Sequence, residues 1–234
     1  MSKIEIVKYT KKLLQNVNDI DDIVDSYFEP FKDLTDTAED IFTPIKVVHS
    51  LYTFNKKRKF KSFLKSYAQS LNSSKFDSLD TNRLLKYLEK EKNFNFIYEI
   101  IDGAINSKSK FCSSLLGSYA GNILKETPNI GFKEILVLEA LREINDYELS
   151  LFTKVYSIID FKNIVSLENY GKKFSNVFLY ELMIQKMISL RVFEKAPILA
   201  SGRPKASFKS TEIAEDIFFL IKDMDIYLDL LEYE

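Results

Sequence analysis

Residues 181–195 read ELMIQKMISLRVFEK, and residues 208–221 read FKSTEIAEDIFFLI. The first stretch carries apolar side chains at helical spacing as far as Arg191, and then its pattern changes over VFEKAPI (192–198). ASGRPK (200–205) and ASFKS (206–210) follow. Two short strand-like pieces on either side of a Gly-Pro turn predict a β-hairpin. Thr211 is then placed to cap a further helix, with Glu212, Glu215 and Asp216 near its positive end.

Outward from this core, helices dominate. FKEILVLEALREI (132–144) is a strongly apolar helix. Asn145 with Glu148 has the spacing of a capping box for a helix over about 146–159. Residues 160–174 are less regular, and Ser175 is placed to cap the helix that runs to Arg191. In the first half, residues 3–18 can form a short helix. Pro44 can open another, with Ile45, Val48, Leu51, Tyr52, Phe60, Phe63, Leu64, Tyr67 and Leu71 at helical spacing. Asn72-Ser73-Ser74 ends it. Asp80 reads as the N-cap of a helix carrying Leu84, Leu85, Tyr87 and Leu88, and FNFIYEIIDGAI (94–105) and a helix around 109–126 follow. Pro128 and Gly131 then break the chain.

Composition supports this reading. Of 234 residues, 46% are hydrophobic and 29% charged, enough for a packed core. With 6 Gly and 5 Pro, long helices are favoured over a strand-and-turn fold. One cysteine, Cys112, precludes an intrachain disulfide. One cysteine and one histidine, His49, exclude ordinary zinc sites built from several of either. The opening MSKIEIVKYTKKLL lacks the apolar core of a signal peptide, and no apolar run approaches the roughly 20 residues of a spanning helix. The expected location is the cytoplasm. Net charge is −1, with a basic excess in the first half and an acidic excess in the second, so no global field calls for nucleic acid.

The expected fold is mainly α: a helical bundle over 1–127, a module over 132–224 with one short hairpin, and an acidic helix end over 225–234. The order over 132–222, in which a helix ends in a strand, a turn follows and a second strand leads into a Thr-capped helix, resembles the tail of bacterial winged-helix domains. The stretch TPIKVVHSLYTFNKKRKFKSFLKSYAQSL (43–71), followed by helices and this end, resembles bacterial abortive-infection alpha-type proteins, a group linked with phage defence or mobile elements. Its members often carry glycines before the basic stretch, where this chain has Ile45-Lys46-Val47-Val48. The resemblance carries no functional residue across.

Several constellations have a plain structural reading beside a functional one. His49 sits in an amphipathic segment beside Ser50, but neighbours on a helix do not face each other, and a packed histidine is the simpler reading. Cys112 has Lys108 and Lys110 nearby, yet a small buried residue is the better expectation. Ser113, Gly117 and Gly121 recur every four residues and point to a tight helix crossing within the chain, the favoured reading, or to a subunit contact. The block Lys56, Lys57, Arg58, Lys59 and Lys61 can hold phosphates, an anionic membrane surface or an acidic partner. Against that stands the acidic run of Asp19, Asp21, Asp22, Asp25, Glu29, Asp33, Asp36, Glu39 and Asp40, and mutual compensation is the favoured reading. At the hairpin, Arg203, Lys205 and Lys209 are the candidate wing contacts with DNA. The helix before them, with Glu181, Gln185, Lys186 and Ser189 as its polar residues, should be mostly buried. The final DMDIYLDLLEYE reads as the continuation of the last helix, able to dock on a partner or on the same protein.

No P-loop, GxGxxG, HExxH or GxSxG occurs, so no enzyme and no cofactor is expected. The expected function is a non-enzymatic prokaryotic interaction or regulatory protein acting by protein–protein contact. The alternatives are a DNA-binding winged-helix regulator and a helical effector acting at the membrane surface.

Overall fold

The computed structural model describes residues 3–15, 19–29, 43–72, 78–126, 129–158, 165–166, 176–196, 207–224 and 226–232. They are mainly helical. The chain divides into two units, Met1–Ile130 and Gly131–Glu234.

The first unit holds α1 (Lys3–Gln15), α2 (Ile20–Phe28), α3 (Thr43–Asn72), α4 (Ser78–Glu89), α5 (Glu91–Asn106) and α6 (Lys110–Glu126). At 30 residues, α3 is roughly 45 Å long and is the spine of the unit. It packs most extensively on α6 and also meets α1, α2 and α5. Phe60, Phe63, Leu64, Tyr67, Ala68 and Leu71 line its buried side, at the spacing read from the sequence. The rings of Phe60, Phe63 and Tyr67 stack along it, with centroids 6.1 and 5.9 Å apart. The Tyr67 hydroxyl, fully enclosed, pairs with Thr10 Oγ1 at 2.7 Å and so meets its polar requirement. The apolar pattern misleads two turns earlier, because Leu51 and Tyr52 are exposed. Asp80 is not a cap: α4 begins at Ser78. Nothing in 78–80 breaks a helix, so the first turn forms upstream and Asp80 falls inside it, where a carboxylate is also favoured.

The second unit holds α7 (Phe132–Glu143), α8 (Asp146–Ile158), β1 (Val165–Ser166), α9 (Val177–Ser189), β2 (Phe193–Lys195), β3 (Ser207–Ser210), α10 (Glu212–Asp223) and α11 (Tyr227–Glu232). The capping box before α8 is formed in both directions. Asn145 N–H donates to Glu148 Oε2 and Glu148 N–H to Asn145 Oδ1, each at 2.9 Å. β2 and β3 pair antiparallel, with Glu194 opposite Lys209. β1 adds to the other edge of β3, giving the order β1-β3-β2. That third strand is absent from the sequence reading, since two residues carry no period of their own. Phe152, Phe193 and Phe208 are fully buried and bring α8, β2 and β3 together, with Phe193–Phe208 centroids 5.0 Å apart.

Helix α9 ends in a Schellman turn. Val192 N–H donates to Met187 O and Arg191 N–H to Ile188 O, and Arg191 takes φ 60°. Val192 and Met187, both fully buried, supply the apolar contact that accompanies this motif. Three expectations are corrected here. The N-cap of α9 is Asn176, and Ser175 lies outside the described residues. Thr211 is the N-cap residue of α10, as expected, but its side chain makes no cap bond; the hydroxyl instead faces the carbonyls of Arg191 and Val192 at 2.9 and 2.7 Å. Those carbonyls emerge from the Schellman turn, and the hydroxyl gives its one proton to them rather than accepting from the helix amides. The last helix is also not continuous. Met224 turns extended after α10, and α11 folds back on α8 with Leu230 fully buried. Burial of Leu230 and the edge contact of Tyr227 on Phe218 favour the break over one longer helix.

Candidate functional site

Ser113, Gly117 and Gly121 form the face of α6 that meets α3. A Cβ on Gly117 would stand 2.9 Å from the carbonyl carbon of Phe63, and one on Gly121 2.7 Å from Ser70 Cβ. Ser113 Oγ donates to Lys59 O at 2.7 Å. The stripe therefore sets a close helix crossing inside the unit. Cys112, on the same helix, is buried.

The basic block follows from the same helix. Lys57 pairs with Asp25 at 2.6 Å, Lys61 with Asp21 at 2.5 Å, and Lys12 of α1 reaches Asp22 at 3.5 Å. Lys59 turns inward and donates to the carbonyl of Ser107. Acidic α2 thus lies on basic α3, joined to it by the Lys57–Asp25 and Lys61–Asp21 pairs. Lys56 and Arg58 make no ion pair among the described residues. Acidic residues 33–40 lie outside those residues. His49 falls on α3, and its side chain is outside the described ones.

Lys56 faces a cleft of about 230 Å³. Helix α3 contributes Tyr52 and Lys56, one turn apart; α5 contributes Tyr98, Asp102 and Asn106, also on one face; α2 contributes Tyr27. The Lys56 ammonium lies 4.4 Å from the centre of the Tyr52 ring, and Asn106 Nδ2 donates to Asp102 Oδ1 at 2.9 Å. Burial raises the Tyr27 pKa above its ordinary value, and Tyr98 and Asp102 push it the same way, so its hydroxyl keeps its proton. Tyr52 and Tyr98 are partly open to solvent. Tyr27, Tyr98, Asp102 and Asn106 were missed by sequence reasoning. The available signal was the i, i+4, i+8 spacing of the three α5 residues, which looks like any solvated helix face until α2 and α3 are placed beside it.

In the second unit, Arg203 and Lys205 lie outside the described residues. Lys209 meets Glu194 across the hairpin at 3.0 Å. Lys186 of α9 donates to Glu148 and, at 2.9 Å, to Glu143 O. The buried side of α9 carries Tyr180, Met183, Ile184 and Met187. Its opposite side is more open than expected: Phe178 is 64% exposed and Leu182 46%, with Gln185 and Ser189 continuing the row. The expectation of a mostly buried helix fails because α9 has apolar residues on both sides and only one side meets α8 and β2. Beyond the end of α9, Arg191 lies 5.2 Å from the centre of the Phe132 ring, which is itself exposed.

No protein-family model, no curated protein and no solved structure matches this chain. Among the described residues, no group of three or more His, Cys, Asp and Glu side chains is placed to hold a metal. Among the same residues, no helix is long and apolar enough to cross a membrane.

Proposed function

We propose that the chain is a non-enzymatic interaction protein whose second unit, a winged-helix-like module, meets a protein partner through the outward row of α9. The observation that carries this reading is the exposure of Phe178 and Leu182 on a helix that already has a full apolar side buried. Large apolar side chains aligned on one open helix face are a protein-contact signature. DNA would want cations there, but the row runs Phe178, Leu182, Gln185, Ser189, and Lys186 is engaged with Glu148. The pairing of Lys57 and Lys61 with α2 likewise takes free charge from the membrane reading. The winged-helix reading rests on the run α9–β2–β3–α10 and on the antiparallel β1-β3-β2 order.

The test is capture from nuclease-treated bacterial lysate with the full chain, with Phe178→Glu/Leu182→Glu and with Arg203→Ala/Lys205→Ala. A stoichiometric protein retained by the wild type and the hairpin variant, and lost by the α9 variant, supports the proposal. Recovery of nucleic acid alone, lost with the hairpin variant, overturns it in favour of a DNA-binding regulator. The resemblance to abortive-infection proteins makes phage challenge of cells expressing the chain the physiological counterpart, with the α9 variant as control.

A further inference from the structure

We infer that the cleft between α2, α3 and α5 is a binding site for a small planar ring carrying an anionic group, of the class of a nucleoside monophosphate. This site is separate from the α9 surface and does not depend on it.

The argument begins with charge. In the basic block, Lys57 and Lys61 are matched to Asp25 and Asp21, and Lys59 is committed to a backbone carbonyl. Lys56 is held differently: its ammonium rests against the Tyr52 ring, inside a concave surface. A lysine held by an aromatic face turns part of its ammonium to the ring and keeps its remaining donors for an anion. Because its charge already covers that ring, a second cation entering the cleft would be repelled. An anion is the complementary group at the Lys56 end of the cleft, while Asp102 keeps it from the α5 wall.

Shape and lining then specify the rest. At about 230 Å³, below the roughly 300 Å³ at which drug-sized pockets begin, the cleft encloses only part of a nucleotide, its ring and its anionic end. Tyr98 and Tyr27 offer ring surface from two other helices, and aromatic faces hold bases by stacking regardless of sequence. Asp102, fixed by Asn106, places a carboxylate on the α5 wall, suited to accept from a ring amine or a sugar hydroxyl. Cation on α3, rings between and acceptor on α5 describe a ligand with an anion at one end and a donor at the other. Tyr27 packs on Phe28 and Phe60, and Tyr52 holds Lys56, so the half-exposed Tyr98 is the ring most open to a ligand, and a simple anion would not use it. A neutral aromatic would leave Lys56 unused.

The experiment is isothermal titration of the full chain with AMP, GMP, CMP and UMP, and with adenosine and inorganic phosphate as half-ligands. Lys56→Gln and Tyr98→Ala are the cleft variants, and exposed Arg58→Gln is the control; circular dichroism checks that each is folded. At least one nucleotide should bind, and bind more tightly than adenosine or phosphate. Lys56→Gln should weaken the nucleotide roughly tenfold while leaving adenosine unchanged, and Tyr98→Ala should weaken both roughly tenfold. Arg58→Gln should change neither. Failure of all four nucleotides to bind at millimolar concentration overturns the inference. So does equal binding of phosphate and nucleotide, or binding that both folded cleft variants leave unchanged.

Discussion

Replacing Gly117 by alanine would test the helix crossing on which the first unit is built. Judged as an isolated helix, α6 should gain: alanine is favoured over glycine in a helix interior by about 1 kcal/mol. In the folded unit the added methyl meets the backbone of Phe63, 2.9 Å from its carbonyl carbon. Backbone cannot turn aside as a side chain can, so α3 and α6 must part. Overpacking a core costs about 1–3 kcal/mol even when side chains yield. A gap approaching 1 Å also forfeits a quarter to a half of the dispersion energy of each contact along the seam. That seam includes Phe63, Tyr67, Leu116 and Ala120, all buried. The losses outweigh the propensity gain, and the net expectation is a destabilisation of about 2–3 kcal/mol. In urea, monitored by far-UV circular dichroism, this appears as a midpoint lowered by roughly 1 M at unchanged slope. By calorimetry it appears as a drop of roughly 8–12 °C in the transition of the first unit. Gly121→Ala should cost less, because its nearest obstacle is the side chain of Ser70. A Gly117→Ala protein as stable as the parent, or more so, would refute the close crossing and leave only helix propensity at work.

Three further outcomes are expected. Asn145→Ala removes one arm of the capping box before α8 and should lower the urea stability of the second unit by about 1 kcal/mol. Arg191→Ala and Arg191→Gly both lose the contact with Phe132, but only glycine fits φ 60° without strain, so the glycine variant should be the more stable by about 1 kcal/mol. Burial holds the Tyr67 hydroxyl well above its ordinary pKa, while the Thr10 bond lowers it in part. The folded chain then keeps a proton that the unfolded chain releases above about pH 10, so this stability is full below that pH and falls as pH rises past it. Melting temperatures of Tyr67→Phe measured between pH 8 and 11 should show a flatter alkaline limb than the parent, with a cost of about 1 kcal/mol at neutral pH.

Much of the helical architecture was legible in the chain because its causes are local. A helix declares itself by a period of 3.6, which α1, α5 and α10 show clearly. The Asn145–Glu148 box involves residues three apart, so its two bonds could be read before any fold was known. The hairpin strands also announced themselves, through the change of period after Arg191 and the Gly-Pro turn. Charge matching between the acidic and basic segments was legible as a balance of sign, though not as the specific pairs Asp25–Lys57 and Asp21–Lys61.

Other features depended on partners distant in sequence. Strand β1 exists only because the edge of β3 is there to pair with it. The hydroxyl of Thr211 abandoned the expected cap because the carbonyls ending α9 lie within reach, 19 and 20 residues earlier in the chain. The chain breaks at Met224 because α11 gains a buried site for Leu230 on α8. The same dependence governs the candidate sites. Phe178 and Leu182 read as core because hydrophobicity records what a side chain prefers, not whether a neighbour arrives to cover it. The tyrosine cleft draws single turns from α2, α3 and α5, none of them distinctive alone. Local periodicity determined where the helices run; packing between segments far apart in the chain decided which of their faces are buried, which stay open, and which side chains meet.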